Sequence, residues 1–212
     1  MDESRGCKYF PIWLLGDSNP KNWEDKLDVP LDTRHPAVHN IWTPIVDLVQ
    51  ETVFEKDCKR INTSRLYVRN AVEDANEKPE YGVKNWDPRL NERTRKLRKH
   101  IEEYKPKIVF SLGAFAFEFA RRALTSEEGE YQGSRYWSAE KLGEQFRQRT
   151  KGFCVGETNL LPLLHVSIAR GKFLEAHRSF TQCDKGNYFE YVAKEISKVL
   201  LCNENDFSTI WK

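Results

Sequence analysis

Polar side chains able to do chemistry close three apolar runs of this 212-residue chain. Gly16, Asp17, Ser18, Asn19 and Pro20 follow the run from Tyr9 to Leu15. Asn70 ends the segment Arg65 to Asn70, and His165, with Ser167 two residues on, follows Asn159 to Leu164. A carboxylate only accepts hydrogen bonds, a carboxamide donates and accepts side by side, and an imidazole changes charge near neutral pH. Set at the carboxyl ends of buried strands, such groups would share one crevice, which is where open α/β sheets bind ligands. Each also has an ordinary reading. Asp17, Ser18 and Asn19 are turn formers, Asn70 is a strand-end polar residue, and His165 is a half-buried, hydrogen-bonded histidine. His35 and His39 flank Pro36 like a pair of metal ligands, but no third ligand at motif spacing accompanies them. No metal is expected.

The elements that must position these groups are read from hydrophobic period. In Lys105 to Leu124, KPKIVFSLGAFAFEFARRAL, the run Ile108-Val109-Phe110 has the pattern of a strand buried on both faces. Gly113 interrupts it. Beyond that glycine, Ala116, Phe119, Ala120, Ala123 and Leu124 recur at helical spacing, with Glu118, Arg121 and Arg122 on the other side. Strand, tight turn and helix are half of a βαβ unit, so the fold class is α/β. Tyr9 to Leu15 predicts a first strand, weakened at its start by Pro11, and Arg65 to Asn70 a second. Trp42, Ile45, Val46, Val49 and Val53 predict a helix over 42–55, with Thr43 as its cap and Pro44 in its first turn. Leu90, Thr94, Leu97, Ile101 and Tyr104 mark another helix face, and Tyr188, Val192, Ile196, Val199 and Leu200 the last. The irregular stretch Lys21 to His39 is long enough to read as a functional loop. Residues 126–152, charged and aromatic with helical spacing from Ser138 to Arg149, are the candidate insertion in a single domain.

Composition narrows the classes. With 34 basic and 32 acidic residues the net charge is +2, which argues neither for nor against a nucleic-acid partner, so any basic surface must be local. Six tryptophans, twelve phenylalanines and eight tyrosines speak for a packed core and against disorder. No run is apolar enough for a membrane span, and the opening MDESRGCKYF lacks the apolar region of a secretory signal. The five cysteines contain no closely spaced pair and suit reduced thiols in the cytoplasm.

Taken in order, GDSNP, RLYVRN, KPKIVFSLGAFAF and LPLLHVS resemble the motif series of the uracil-DNA glycosylase superfamily, over most of the chain from Tyr9 to about Arg170. The resemblance implies a three-layer α/β/α fold on a mostly parallel sheet and hydrolysis of the N-glycosidic bond of uracil or a related damaged base in DNA. It implies that Asp17 or Asn19, beside Gly16 and Pro20, holds the attacking water. Asn70 would read the Watson–Crick edge of a base flipped out of the stack, and His165, with Ser167 behind it, would donate to the departing base. Such a donor stabilises charge only as it develops.

Lys21, Arg170 and Lys172, with Arg69, are expected to meet DNA phosphates, whereas the helix carrying Arg93 to Lys99 is expected to be a bystander. The aromatic that stacks on the base is sought among Trp23, His35 and Trp42. Lys21 stands where the family has glycine or tyrosine, and Val166 where it has proline. Both departures favour the alternative of a catalytically silent relative that binds a nucleobase, nucleotide or nucleic acid; a small-molecule nucleoside hydrolase is a third reading. A cytoplasmic monomer without cofactor is expected.

Overall fold

The structure is a computed structural model, and it describes residues 4–19, 26–35, 38–79, 86–125, 133–169, 173–183 and 187–212. Ser4–Arg5 (β1), Ile12–Gly16 (β2), Tyr67–Asn70 (β3), Ile108–Leu112 (β4) and Asn159–Leu163 (β5) form one five-stranded sheet in the order β1-β3-β2-β4-β5. The short β1 runs antiparallel along β3, and every other pair is parallel. β4 is buried at all five positions, as the apolar run Ile108-Val109-Phe110 predicts for its first three, and it takes Ser111 inside as well.

Parallel neighbours need crossovers, and helices supply them. These are Thr43–Asp57 (α1), Asn91–Tyr104 (α2), Ala114–Leu124 (α3) and Ala139–Lys151 (α4), while Leu174–Thr181 (α5) and Tyr188–Cys202 (α6) follow the last strand. α1 and α6 pack together over the sheet face that carries Ile12 and Phe110, where Ile45, Val49, Ile196 and Leu200 meet it. α2 and α3 pack on the opposite face, where Trp13 stands against Tyr67 and against Tyr104 of α2. α4 and α5 close the β5 side. The architecture is three-layer α/β/α. Each large apolar side chain it buries contributes roughly 1.5–3 kcal/mol. Since the chain passes from β2 outward to β3 and then back across β2 to β4, its strand order reverses between β2 and β4. A crevice at the carboxyl ends is the geometric consequence.

Several local expectations change. β2 begins at Ile12 and not at Tyr9, because the Pro11 carbonyl turns to accept the N–H groups of Lys107 and Ile108, and Tyr9 is exposed. Thr43 is no helix cap: a π-helical turn, Val38–Trp42, runs straight into α1, and Trp42 already has helical backbone. The candidate insertion at 126–152 supplies α4, whose Leu142 and Phe146 are buried and whose helix packs on β5 and α5. Arg98 is not a solvated charge, since its guanidinium donates to the carbonyls of Arg122, Ala123 and Thr125 at 2.8, 2.9 and 2.6 Å, capping the end of α3. Glu118, assigned by its charge to the outer face of α3, is buried.

Candidate functional site

All four parallel strands end at one crevice, and three of them deliver a polar residue to it. Asp17 leaves β2, Asn70 ends β3, Gly113 leaves β4, and His165 lies two residues past β5. Pairing continues beyond the strand ends: the N–H groups of Ala71 and Val72 donate to the carbonyls of Gly16 and Asp17 at 2.9 and 3.0 Å, and Gly113 N–H donates to Leu163 O at 2.9 Å. This backbone holds Asp17, Asn70 and His165 around a cavity of about 80 Å³. Its walls are apolar, with Leu14, Val68 and Leu112 from the sheet and Leu27, Val29 and Leu31 from the irregular loop. A space of that size holds several waters or one single-ring molecule.

Asp17 is the electrostatic centre. Its Oδ2 lies 3.0 Å from His165 Nε2 and also takes the ammonium of Lys78, while Oδ1 accepts the Ser18 N–H at 2.7 Å. Burial works to raise the pKa of this carboxyl, but the His165 and Lys78 interactions outweigh it and hold Asp17 below the usual carboxylate range. Lys78 is itself positioned by α2, because Arg93 bonds Glu73 at 3.0 Å and Glu77 at 2.7 Å and so fastens the segment between β3 and α2. On the far side of the imidazole, Ser167 N–H donates to His165 Nδ1 at 3.2 Å, and Ser167 Oγ lies 2.7 Å from the same nitrogen. In the neutral ring the proton therefore sits on Nε2 and points toward Asp17.

The two asparagines act as a pair. Asn70 Nδ2 donates to Asn19 Oδ1 at 2.7 Å, and Asn19 Nδ2 donates to the Glu73 carbonyl at 3.4 Å. Asn19 is thereby a support for Asn70, which lines the cavity beside it. Two glycines beside the site stand close to its side chains. A Cβ on Gly16 would stand 2.4 Å from Asn70 Oδ1, and one on Gly113, where φ is +93°, would stand 2.6 Å from His165 Cβ. Gly113→Ala combines a glycine-only backbone with a direct clash. It should lower stability by at least about 1–3 kcal/mol, read as a fall in thermal midpoint; an unchanged midpoint would mean that the turn before α3 relaxes freely.

Of the residues singled out from sequence, Gly16, Asp17, Asn19, Asn70 and His165 line the cavity together, and Ser167 stands behind His165. Pro20, Lys21, Trp23, Arg170 and Lys172 lie outside the described residues. His35 lines the cavity, but Trp42 does not: it sits in a separate apolar pocket with Ile45, Val49 and Leu200. His39 Nε2 lies 2.8 Å from Thr33 O. Among the described residues no group of three or more His, Cys, Asp or Glu is set to hold a metal ion, and no helix is long and apolar enough to cross a membrane. Sequence reasoning missed Lys78 altogether. The apolar wall Leu27, Val29 and Leu31 had a signal, an alternation of period two inside the loop. Compared with known protein families and with curated proteins, the chain matches none of them.

Proposed function

We propose that the protein hydrolyses the N-glycosidic bond of uracil or a related damaged base in DNA, as the motif series it resembles implies. The observation that carries this reading is the convergence of an ionised carboxylate, a carboxamide and an imidazole N–H on an apolar cavity fit for one pyrimidine ring. In this reading Asp17, and not Asn19, holds the attacking water, because both ends of the Asn19 amide are bonded to neighbours. Asn70 matches the adjacent acceptor and N–H on the edge of uracil. The Nε2–H of His165 is exchanged from Asp17 to the base oxygen as negative charge builds there. Lys21, Arg170 and Lys172 belong to the same reading as phosphate contacts of a cytoplasmic monomer.

A second reading is favoured by one observation. Lys78 and His165 both engage Asp17 Oδ2, and a carboxylate so occupied suits a relative that binds a nucleobase, nucleotide or nucleic acid without cleaving it. Uracil-, hypoxanthine- and thymine-mismatch oligonucleotides, incubated with the protein and then treated with alkali to break abasic sites, separate the two. Strand breaks at the modified base support hydrolysis. Their complete absence, with the oligonucleotide still bound, supports the silent relative.

Base choice has its own test. Asn70→Asp replaces an amide by an acceptor-only carboxylate, so the variant should lose rate on uracil and gain on cytosine, whose exocyclic amine is a donor. Rates measured on paired uracil and cytosine oligonucleotides should move in opposite directions, and a parallel fall on both would remove Asn70 from base reading.

A further inference from the structure

The outward side of α2 is strongly basic. Arg89, just before the helix, and Arg93, Arg95, Lys96 and Lys99 along it line an open groove of about 650 Å³, against two carboxylates, Glu73 and Glu92. In a chain of net charge +2 this is a local concentration of cations. Some of that charge is already committed: Arg89 pairs with Asp87 at 2.6 Å, and Arg93 bridges Glu73 and Glu77. Arg95 and Lys99 are exposed and make no ion pair among the described residues. Four residues apart, they project from one stripe of the helix about 6 Å apart along its axis. The positive field continues along α2 to His100, whose pKa is lowered first by burial and then by Lys8, Arg69 and Lys96.

The groove adjoins the catalytic candidate through a single residue. Glu73 accepts Asn19 Nδ2 on its carbonyl, at the cavity, while its side chain bonds Arg93 and lines the groove. A free nucleoside would leave Arg95 and Lys99 without an anion, whereas a phosphodiester chain supplies one at every nucleotide. We propose that the basic groove of α2 carries the backbone phosphates of a nucleic-acid strand whose base enters the cavity, which makes a polymer and not a free nucleoside the substrate. This departs from the expectation that the helix is a bystander, and it rests on the nucleic-acid reading of the site.

The test is fluorescence anisotropy on labelled single-stranded and duplex oligonucleotides that contain no modified base, at several salt concentrations. The full-length chain is compared with its Arg95→Glu/Lys99→Glu variant and with Lys56→Glu, an exposed change on α1 on the other side of the sheet. Thermal midpoints should agree among the three, since all the changed side chains are exposed. Loss of two phosphate contacts should reduce the log–log salt slope on duplex by about 1.8 and weaken binding at low salt by at least tenfold, with Lys56→Glu like the wild type. Equal slopes and affinities in all three forms overturn the proposal, as does binding to anionic lipid vesicles with none to oligonucleotides. Base release scored in parallel keeps the two readings apart. Groove-dependent binding without release by any form sustains the groove and sinks the hydrolase. Release by the double variant at the wild-type rate, with an unchanged slope, sustains the hydrolase and sinks the groove.

Discussion

Under the proposed hydrolase function, Asp17→Asn should lower the rate of base release by roughly 10² to 10⁴-fold, the range a positioned general base supplies, while oligonucleotide affinity stays within a few-fold. Asparagine keeps the size of the side chain and an acceptor for the Ser18 N–H, now 2.7 Å from Asp17 Oδ1, but cannot take a proton from water. Because His165 Nε2 lies 3.0 Å from the same carboxylate, the two residues belong to one unit. His165→Ala alone should cost about 10² to 10³-fold, and the double variant should fall short of the product of the two single losses. Acid titration gives a second readout. The pKa of folded Asp17 is depressed, so its stabilising contribution is complete above the ordinary aspartate value of about 3.9 and is lost as pH falls through the lower folded value. The stability gap between wild type and Asp17→Asn should therefore narrow as pH falls below about 4. Wild-type release by Asp17→Asn would remove the carboxylate from the mechanism.

The parts of this molecule that were legible in the sequence are those governed by neighbours in the chain. The change of period at Gly113 announced β4 and α3, and the apolar stripe Tyr188, Val192, Ile196, Val199 and Leu200 announced α6, because each is a repeated local signal. Three of the site's polar groups were visible for a topological reason: parallel strands bring their carboxyl ends together, so polar residues that follow apolar runs become neighbours. Contacts made across the chain left no such trace. Lys78 reaches Asp17 over 61 residues of separation from a polar loop with no period. α5 is eight residues long and buries His177, Phe180 and Thr181, a set in which only Phe180 looks like core. Trp42 sits at the start of a helix beside the irregular loop, and only the packing of α1 on α6 shows which way it faces. Glu118 was placed outside because charge usually marks the solvated face. That default fails when half-buried partners, Arg121, Arg122 and Trp137, fold over the carboxylate and satisfy it.

Replacing Glu118 with Ala should destabilise the fold by about 3–5 kcal/mol, the cost of breaking a buried ion pair by removing one member. The carboxylate is 1% exposed. Its Oε2 accepts Arg121 Nε and Trp137 Nε1, each at 2.8 Å, and its Oε1 accepts Arg121 Nη2 at 2.9 Å and Arg122 Nε at 2.8 Å. Alanine would leave the indole N–H of Trp137 without this acceptor and both guanidinium groups without the charge they face. Arg122, only 11% exposed at its side chain and stacked 4.5 Å from the Trp86 ring centroid, has little room to turn toward water. Glu118→Gln retains an acceptor for Trp137 but not the charge, so its loss should be smaller than that of Ala. Urea unfolding distinguishes these outcomes: the midpoint should fall in the order wild type, Gln, Ala, with the slope m unchanged because the surface exposed on unfolding is the same. Trp137 also packs edge-on against Phe117, with ring centroids 4.6 Å apart, so the Ala variant should show faster proteolysis near residues 133–137. A loss below about 1 kcal/mol would mean that the arginines find water in the variant and that the network contributes no more than a surface ion pair.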